Sequence, residues 1–340
     1  MVSTAENEIR TDFLGRKVII AANRSKRPQD FIRKNEAHEK RDGPCYFCPG
    51  NEAMTPPEIS RIEGKKKDFW LLRNFNNMFF ALSKSYPRGY GVHEIIVETP
   101  THSRFSSLPE SAFYNMIELF LRRLHALSKD SKIKYAQFFK NDGLKAGASI
   151  SHSHTQLIAL PYIPKIVSRM EAASAGRRCS FCRMLETERA RIIFENNTAI
   201  AFVPYAARFP YEIWVLPKRH AWGFSSMDNA SLQGFARALK ASLQKLDKLL
   251  KNPDYNIVYY SSLRKSGLHM HAEIIPRLTT LAGFEFGTET IINPVVPEQA
   301  AKSLRECKTL QGLLSLAGTT EGKLGPWIRE EDRIDAKRDR

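Results

Sequence analysis

The amino-acid sequence predicts an α+β protein made of two similar units in tandem. The prediction rests on a set of short motifs that occurs twice in the same order, on one strong helical pattern in each half, and on β-rich segments around them. Cys45-Tyr-Phe-Cys48 is answered by Cys179-Ser-Phe-Cys182, and Asn76-Asn77-Met-Phe-Phe-Ala by Asn196-Asn197-Thr-Ala-Ile-Ala. His93-Glu-Ile-Ile-Val-Glu-Thr-Pro-Thr-His102 lines up with Tyr211-Glu-Ile-Trp-Val-Leu-Pro-Lys-Arg-His220, and each half closes on a His-x-His, at His152/His154 and His269/His271. Self-similarity of this kind implies two copies of one structural unit.

Each unit reads in the same order: a Cys-x2-Cys knuckle, a strand-like Asn-Asn segment, a Glu-Ile-x-Val strand ending in His, a helix, and a strand carrying His-x-His. Apolar residues at three- and four-residue spacing place the helices over Leu108 to Leu127 and Ser231 to Leu250. The polar segment Pro164 to Arg178 marks the boundary. It divides the chain into an N-terminal unit over 1–165, a C-terminal unit over 166–310 and a tail over 311–340.

With 340 residues and 42% hydrophobic content, the chain has apolar material for one large core or two ordinary ones. It has no basic segment leading into an apolar one at its start and no apolar run long enough to span a bilayer, so a cytoplasmic protein is expected. The formal net charge of +16 favours anionic partners. Nucleic acid, nucleotides and sugar phosphates all meet that description, and charge alone does not choose among them.

Four of the five cysteines fall in the two Cys-x2-Cys pairs, a spacing that favours metal ligation over disulfides in a reducing compartment. A structural zinc wants four N or S ligands. The duplicated order supplies them as Cys45, Cys48, His102 and His152 in the first half, and in the second as Cys179, Cys182, His220 and one of His269/His271, with His269 preferred. Two zinc sites per chain are therefore expected. A single four-cysteine ribbon is disfavoured because the two pairs lie far apart in sequence.

Chemistry concentrates in Asn141-Asp-Gly143-Leu-Lys-Ala-Gly147-Ala-Ser149-Ile-Ser-His152-Ser-His154-Thr-Gln156. In an extended strand His152, His154 and Gln156 share a face. If zinc holds His152, His154 is left as a nucleophile toward phosphorus, since neutral imidazole carries a lone pair without prior deprotonation. Gly143 and Gly147 let the backbone approach phosphate oxygens, while Ser149 and Gln156 can donate to developing charge. The corresponding row in the second half is His269, His271 and Glu273. Its carboxylate would repel a phosphate, which assigns the chemistry to the first half.

These motifs, together with Glu8-Ile-Arg-Thr-Asp, Asn23-Arg24-Ser-Lys26-Arg27-Pro28, Thr55-Pro-Pro-Glu58 and Gly283-Phe-Glu285, resemble the histidine-triad superfamily, in its branch of galactose-1-phosphate uridylyltransferase and ADP-glucose phosphorylase. The resemblance spans roughly residues 8 to 310. It implies two HIT-like units, each an antiparallel sheet with helices, and a homodimer. It further implies ping-pong transfer of a nucleoside monophosphate through His154, with Gln156 in place of the third triad histidine. By the same resemblance Arg24 and Arg27 match phosphate contacts, Asn77 and Phe79 match positions lining the nucleotide site, Asn141 and Ser149 match active-site positions, and Glu285 matches a hexose contact; Gly147, by its place in the glycine-rich turn, is counted with the substrate-binding residues. UDP-glucose:galactose-1-phosphate uridylyl transfer is the leading expectation, with adenylyl transfer of the ADP-glucose phosphorylase kind as the alternative. A nucleotide hydrolase and a zinc-organised nucleic-acid-binding protein rank below both. Three departures bear on substrate: Ser153 stands where uridylyltransferases often carry proline, Thr279-Thr280-Leu281-Ala282 stands where a basic residue often precedes the Gly-Phe-Glu motif, and Glu289 stands where glycine is common.

Overall fold

In a computed structural model, which describes residues 6–24, 44–65, 69–175 and 179–307, the strands form two sheets. The small one joins β1 (Glu8–Thr11), β2 (Lys17–Ile20) and β13 (Ile291–Asn293). The first half then contributes β3 (Glu58–Glu63), β4 (Trp70–Asn76), β5 (Val92–Val97), helix α1 (Glu110–Ser128), β6 (Tyr135–Asp142) and β7 (His154–Leu160). Helices α2 (Lys165–Ser174) and α3 (Ser180–Thr187) lead into β8 (Ile192–Glu195), β9 (Ala199–Phe202), β10 (Ile213–Pro217), α4 (Asn229–Leu250), β11 (Tyr255–Tyr260) and β12 (His271–Pro276). Short helices α5 (Gly283–Thr288) and α6 (Pro297–Glu306) flank β13.

The two expected antiparallel α+β units are present, but their sheets are fused. One ten-stranded sheet runs β3-β4-β5-β7-β6-β11-β12-β10-β9-β8, so the strand order of one half mirrors that of the other about the β6–β11 seam. There Phe139 pairs with Val258 and Tyr255 with Asp142.

Helices α1 and α4 lie against each other on one face of this sheet. In α1, Phe113, Met116, Ile117, Phe120, Leu124 and Leu127 recur at helical spacing and are all buried. Helix α4 starts at Asp228, whose side chain accepts the Ser231 N–H, and stops at Lys251 in the left-handed conformation. Phe120 stacks on Phe138 at 4.0 Å and meets Tyr259 edge-on at 5.4 Å, tying the halves into one core. Truncating such a ring costs about 3–5 kcal/mol.

Three details depart from the sequence reading. The Asn-Asn match does not survive folding, because Asn76 ends β4 whereas Asn196 precedes β9. The Glu-Ile-x-Val match is out of register: Glu94 pairs with Leu157, but Ile213, not Glu212, pairs with the corresponding Ile274. A one-residue slip turns a side chain to the other face. Glu94 accordingly binds Arg123 of α1, while Glu212 binds Arg208 and Trp214 on the opposite side. Third, most of the expected boundary segment is the helix α2, whose Val167 and Met170 are buried. Arg27 and the tail over 311–340 lie outside the described residues.

Candidate active site and metal clusters

Both metal clusters assemble on the sheet face opposite α1 and α4. Cys48 Sγ lies 3.2 Å from His102 Nε2 and 3.7 Å from His152 Nδ1, and Cys45 Sγ is 3.6 Å from His152 Nδ1. In the second half Cys179 and Cys182 Sγ lie 3.5 and 3.4 Å from His269 Nδ1, with His220 Nδ1 at 3.8 Å from Cys182. Within each set the four donor atoms fall within 4.8 Å of one another. Metal bonds of about 2.0–2.3 Å in a tetrahedron place ligands roughly 3.3–3.8 Å apart, which matches these spacings.

The surroundings also fit a metal. His152 Nε2 donates to the Thr99 carbonyl at 2.7 Å and His269 Nε2 to the Pro217 carbonyl at 3.1 Å, so each ring turns the lone pair of Nδ1 toward the thiols. Burial and the neighbouring thiol push Cys48 up, and the same causes push Cys182 up to about 12. Both sites thus present paired thiols that a cation would deprotonate. His271, the other candidate in the second half, is not in the cluster; its Nδ1 donates to the His269 carbonyl.

His154 opens β7, one step beyond the first cluster. Its Nδ1 donates to the His152 carbonyl at 2.8 Å, and its Nε2 makes no hydrogen bond among the described residues. Burial is the main reason its pKa is lowered, which keeps the ring neutral. Phe47 of the knuckle packs edge-on to it at 5.3 Å. Gln156, two residues along, shares its face.

The turn before β7 is built on backbone that favours glycine. Gly143 and Gly147 have φ of +92° and +85°, and a Cβ on Gly143 would fall 2.1 Å from the Asp254 carboxylate. Asn141 accepts from Asn256 Nδ2 at 2.8 Å, and Ser149 is exposed.

A family model described as galactose-1-phosphate uridyl transferase, N-terminal domain, matches residues 3–164, and a model described as a domain of unknown function matches 102–319. ADP-glucose phosphorylase of Arabidopsis thaliana is 33% identical over 90% of this chain and 94% of its own length. Galactose-1-phosphate uridylyltransferase of Thermotoga maritima is 33% identical over 85% of this chain and 94% of that protein. The chain belongs to the galactose-1-phosphate uridylyltransferase family. Among solved structures, an Arabidopsis thaliana ADP-glucose phosphorylase with bound ADP-glucose superposes with a TM-score of 0.77 at 32% identity, covering 89% of this chain and all of that one.

As a member of this uridylyltransferase family the chain is a nucleotidyltransferase, and no described helix is long and apolar enough to cross a membrane. Asn77 and Phe79 sit in the turn after β4. Asn77 Oδ1 accepts the Phe79 N–H and leaves the Phe79 ring 86% exposed. Arg24, the last residue of the short 3-10 helix Ala22–Arg24 that follows β2, is exposed. Glu285 lies on α5, where its carboxylate accepts the Ala282 N–H. Arg24 and Glu285 therefore sit beside the small sheet and not on the His154 strand. Glu289 adopts φ +55° at the end of α5, a left-handed conformation that glycine takes without strain.

Two features of this uridylyltransferase-family chain escaped sequence reasoning. Behind β7, on the helix side, Lys140 Nζ donates to Glu98 Oε2 at 2.7 Å, to Ser153 Oγ at 2.9 Å and to the His154 carbonyl at 3.2 Å, all in a fully buried pocket. Ser153 Oγ and Thr155 Oγ1 both donate to the same Glu98 carboxylate. On the open face, His93 Nε2 lies 2.9 Å from Gln156 Oε1 and 3.0 Å from Asn77 Nδ2. A cavity of about 510 Å³ lies elsewhere, between the β1–β2 hairpin, α3 and Trp214, and neither His row lines it.

Proposed function

We propose that the protein transfers a nucleoside monophosphate between hexose-1-phosphate and a second phosphate acceptor through a covalent intermediate on His154. The observation that carries this reading is the fixed tautomer of His154. Its Nδ1–H is committed to the His152 carbonyl, so the lone pair sits on Nε2, which has no hydrogen-bond partner among the described residues.

In the first step Nε2 attacks the α-phosphorus of a nucleotide sugar, the N–P bond forms, and the P–O bond to the sugar phosphate breaks with the electron pair leaving on the sugar-1-phosphate. In the second, an oxygen of the incoming sugar-1-phosphate, or of inorganic phosphate, attacks phosphorus and the N–P electron pair returns to the imidazole. The His152 carbonyl accepts from Nδ1–H throughout and stabilises the positive charge that grows on the ring. Gln156 donates to the phosphoryl oxygens. An amide is neither acid nor base; the phosphate leaving group needs no proton, whereas water as acceptor would need a base, so the row favours transfer over hydrolysis.

Zinc is the metal that the two Cys2His2 sets fit. When bound, it would supply rigidity, and Cys45, Cys48, His102 and His152 would hold the start of β7 so that His154 points at the donor.

Two donors suit this site. UDP-glucose with galactose-1-phosphate as acceptor follows the activity named for the Thermotoga maritima relative. ADP-glucose with phosphate as acceptor follows the Arabidopsis thaliana relative, whose solved structure resembles this chain across nearly its whole length. Incubating the protein with each donor separately, without acceptor, and recording intact mass decides between them. A nucleoside-monophosphate adduct absent from His154→Ala is expected, and its mass names the base. No adduct from either donor, in folded and metal-loaded protein, would overturn the mechanism.

A further inference from the structure

We infer that His93 is a positioning residue that fixes which end of the Gln156 amide faces the reacting phosphate, an inference that rests on the transfer reading above. His93 is buried on β5, facing the open side of the sheet. Three groups converge on its ring: the Ala81 N–H lies 3.1 Å from Nδ1, while Gln156 Oε1 and Asn77 Nδ2 lie 2.9 and 3.0 Å from Nε2.

Two patterns are open to the neutral ring. With the proton on Nε2, Nδ1 accepts the Ala81 N–H and Nε2–H donates to Gln156 Oε1. With the proton on Nδ1, two donors face each other at 3.1 Å, and a main-chain N–H has no second rotamer to escape into. The first pattern wins. It sets Nε2–H and the Asn77 NH2, two donors, 3.0 Å apart, but that contact is between side chains, which can turn away from each other, whereas the Ala81 N–H is fixed in the main chain. Gln156 then has its oxygen committed to His93 and its NH2 end left for the phosphoryl oxygens. An amide flipped the other way would present an acceptor to an anion.

The second half supports the assignment through its own side chains. At the sheet position corresponding to Gln156 stands Glu273, and at that of His93 stands Glu212. There Arg208 bridges the two, at 2.6 Å to Glu273 and 2.8 Å to Glu212. In both halves the side chain two residues after the second histidine is held by a donor suited to its own chemistry, from the neighbouring strand β5 in the first half and from the loop leading into β10 in the second. The contacts also join the turn carrying Asn77 and Phe79 to the phosphate row through one imidazole.

The test uses two substitutions that divide the ring's functions. His93→Asn keeps an acceptor near the Nδ1 position and removes the donor to Gln156; His93→Gln places an amide NH2 near the Nε2 position. His93→Asn is expected to slow adduct formation on His154 by about tenfold to a hundredfold with the KM for the donor changed by less than about threefold, and His93→Gln to recover most of that loss. Equal losses in both variants, or a loss confined to KM, would overturn the inference. Nitrogen NMR of the unmodified protein reads the tautomer independently of activity: Nε2–H is expected at His93, and a proton on Nδ1 overturns the inference whatever the rate. Unmodified protein that forms no adduct with either donor sinks the transfer reading instead.

Discussion

The first and second halves share a strand order, a helix, a knuckle and a His-x-His, yet one histidine row ends in a half-exposed Gln156 while the other is buried throughout. Phe47 and Phe181 occupy the same place in their knuckles and approach His154 and His271 at 5.3 and 4.7 Å. The difference lies in the neighbours. Ile95 pairs with Gln156 where Trp214 pairs with Glu273, and Tyr260 pairs with His271 where Asn141 follows the matching stretch of β6. Trp214, Tyr260 and Phe181 close around His271, and Phe13 from the β1–β2 hairpin packs against Phe181 at 4.6 Å. His271 and Glu273 are entirely buried. A site on this scaffold is therefore made or erased by a few side chains around the row, with the metal cluster beneath it unchanged.

The largest expected contrast is between the two second histidines. His154→Ala should abolish adduct formation, a loss of about a thousandfold or more, whereas His271→Ala should lower the melting temperature and leave transfer per folded molecule within about threefold; a comparable loss from both would erase the distinction. Making the first row resemble the second, with Gln156→Glu, should slow transfer by about a hundredfold by setting an anion beside the phosphate, and stopped-flow or single-turnover rates would show it. Metal analysis should return two equivalents for the unmodified chain and one each for Cys45→Ser and Cys179→Ser. Transfer is expected to fail in the first variant, and the second should chiefly lose thermal stability.

A smaller effect is expected behind β7. Lys140→Met strands the buried Glu98 carboxylate and should cost about 3–5 kcal/mol in denaturant unfolding, while Lys140→Met with Glu98→Gln should recover much of it. Least of all, replacing Glu110 and Arg237 together by Gln should cost no more than about 1 kcal/mol, because that ion pair between α1 and α4 is partly solvent-exposed.

The metal sets and the His154 row were legible in the sequence because their signals are short-range: fixed cysteine spacing, a strand period of two, and recurrence at one offset. His93 was hidden by the same recurrence. Aligning it with Tyr211 kept the glutamates in step, but the strands themselves pair one residue differently, and in a sheet that reverses the face. The mismatch is made up just afterwards. The first half takes one more residue than the second between Ile96 and the Thr99 carbonyl that receives His152, compared with Val215 and the Pro217 carbonyl that receives His269. The additional residue is Glu98, the partner of Lys140. Nothing local announces such a pair, since its members lie far apart in sequence and meet only when β6, β5 and β7 are assembled. The fusion of the two sheets was equally invisible, because an edge strand and an interior one carry the same alternation.

That fusion has a consequence for how the chain can be taken apart. Strands β6 and β11 meet antiparallel, each half offering the same strand to the other, which is the pairing two identical subunits adopt across a twofold axis. The protein is in this sense a dimer whose subunits share one polypeptide. A fragment ending after β7 would bare the stretch from Phe138 to Asp142 of β6 as an unpaired edge, and its most available partner would be another copy of itself.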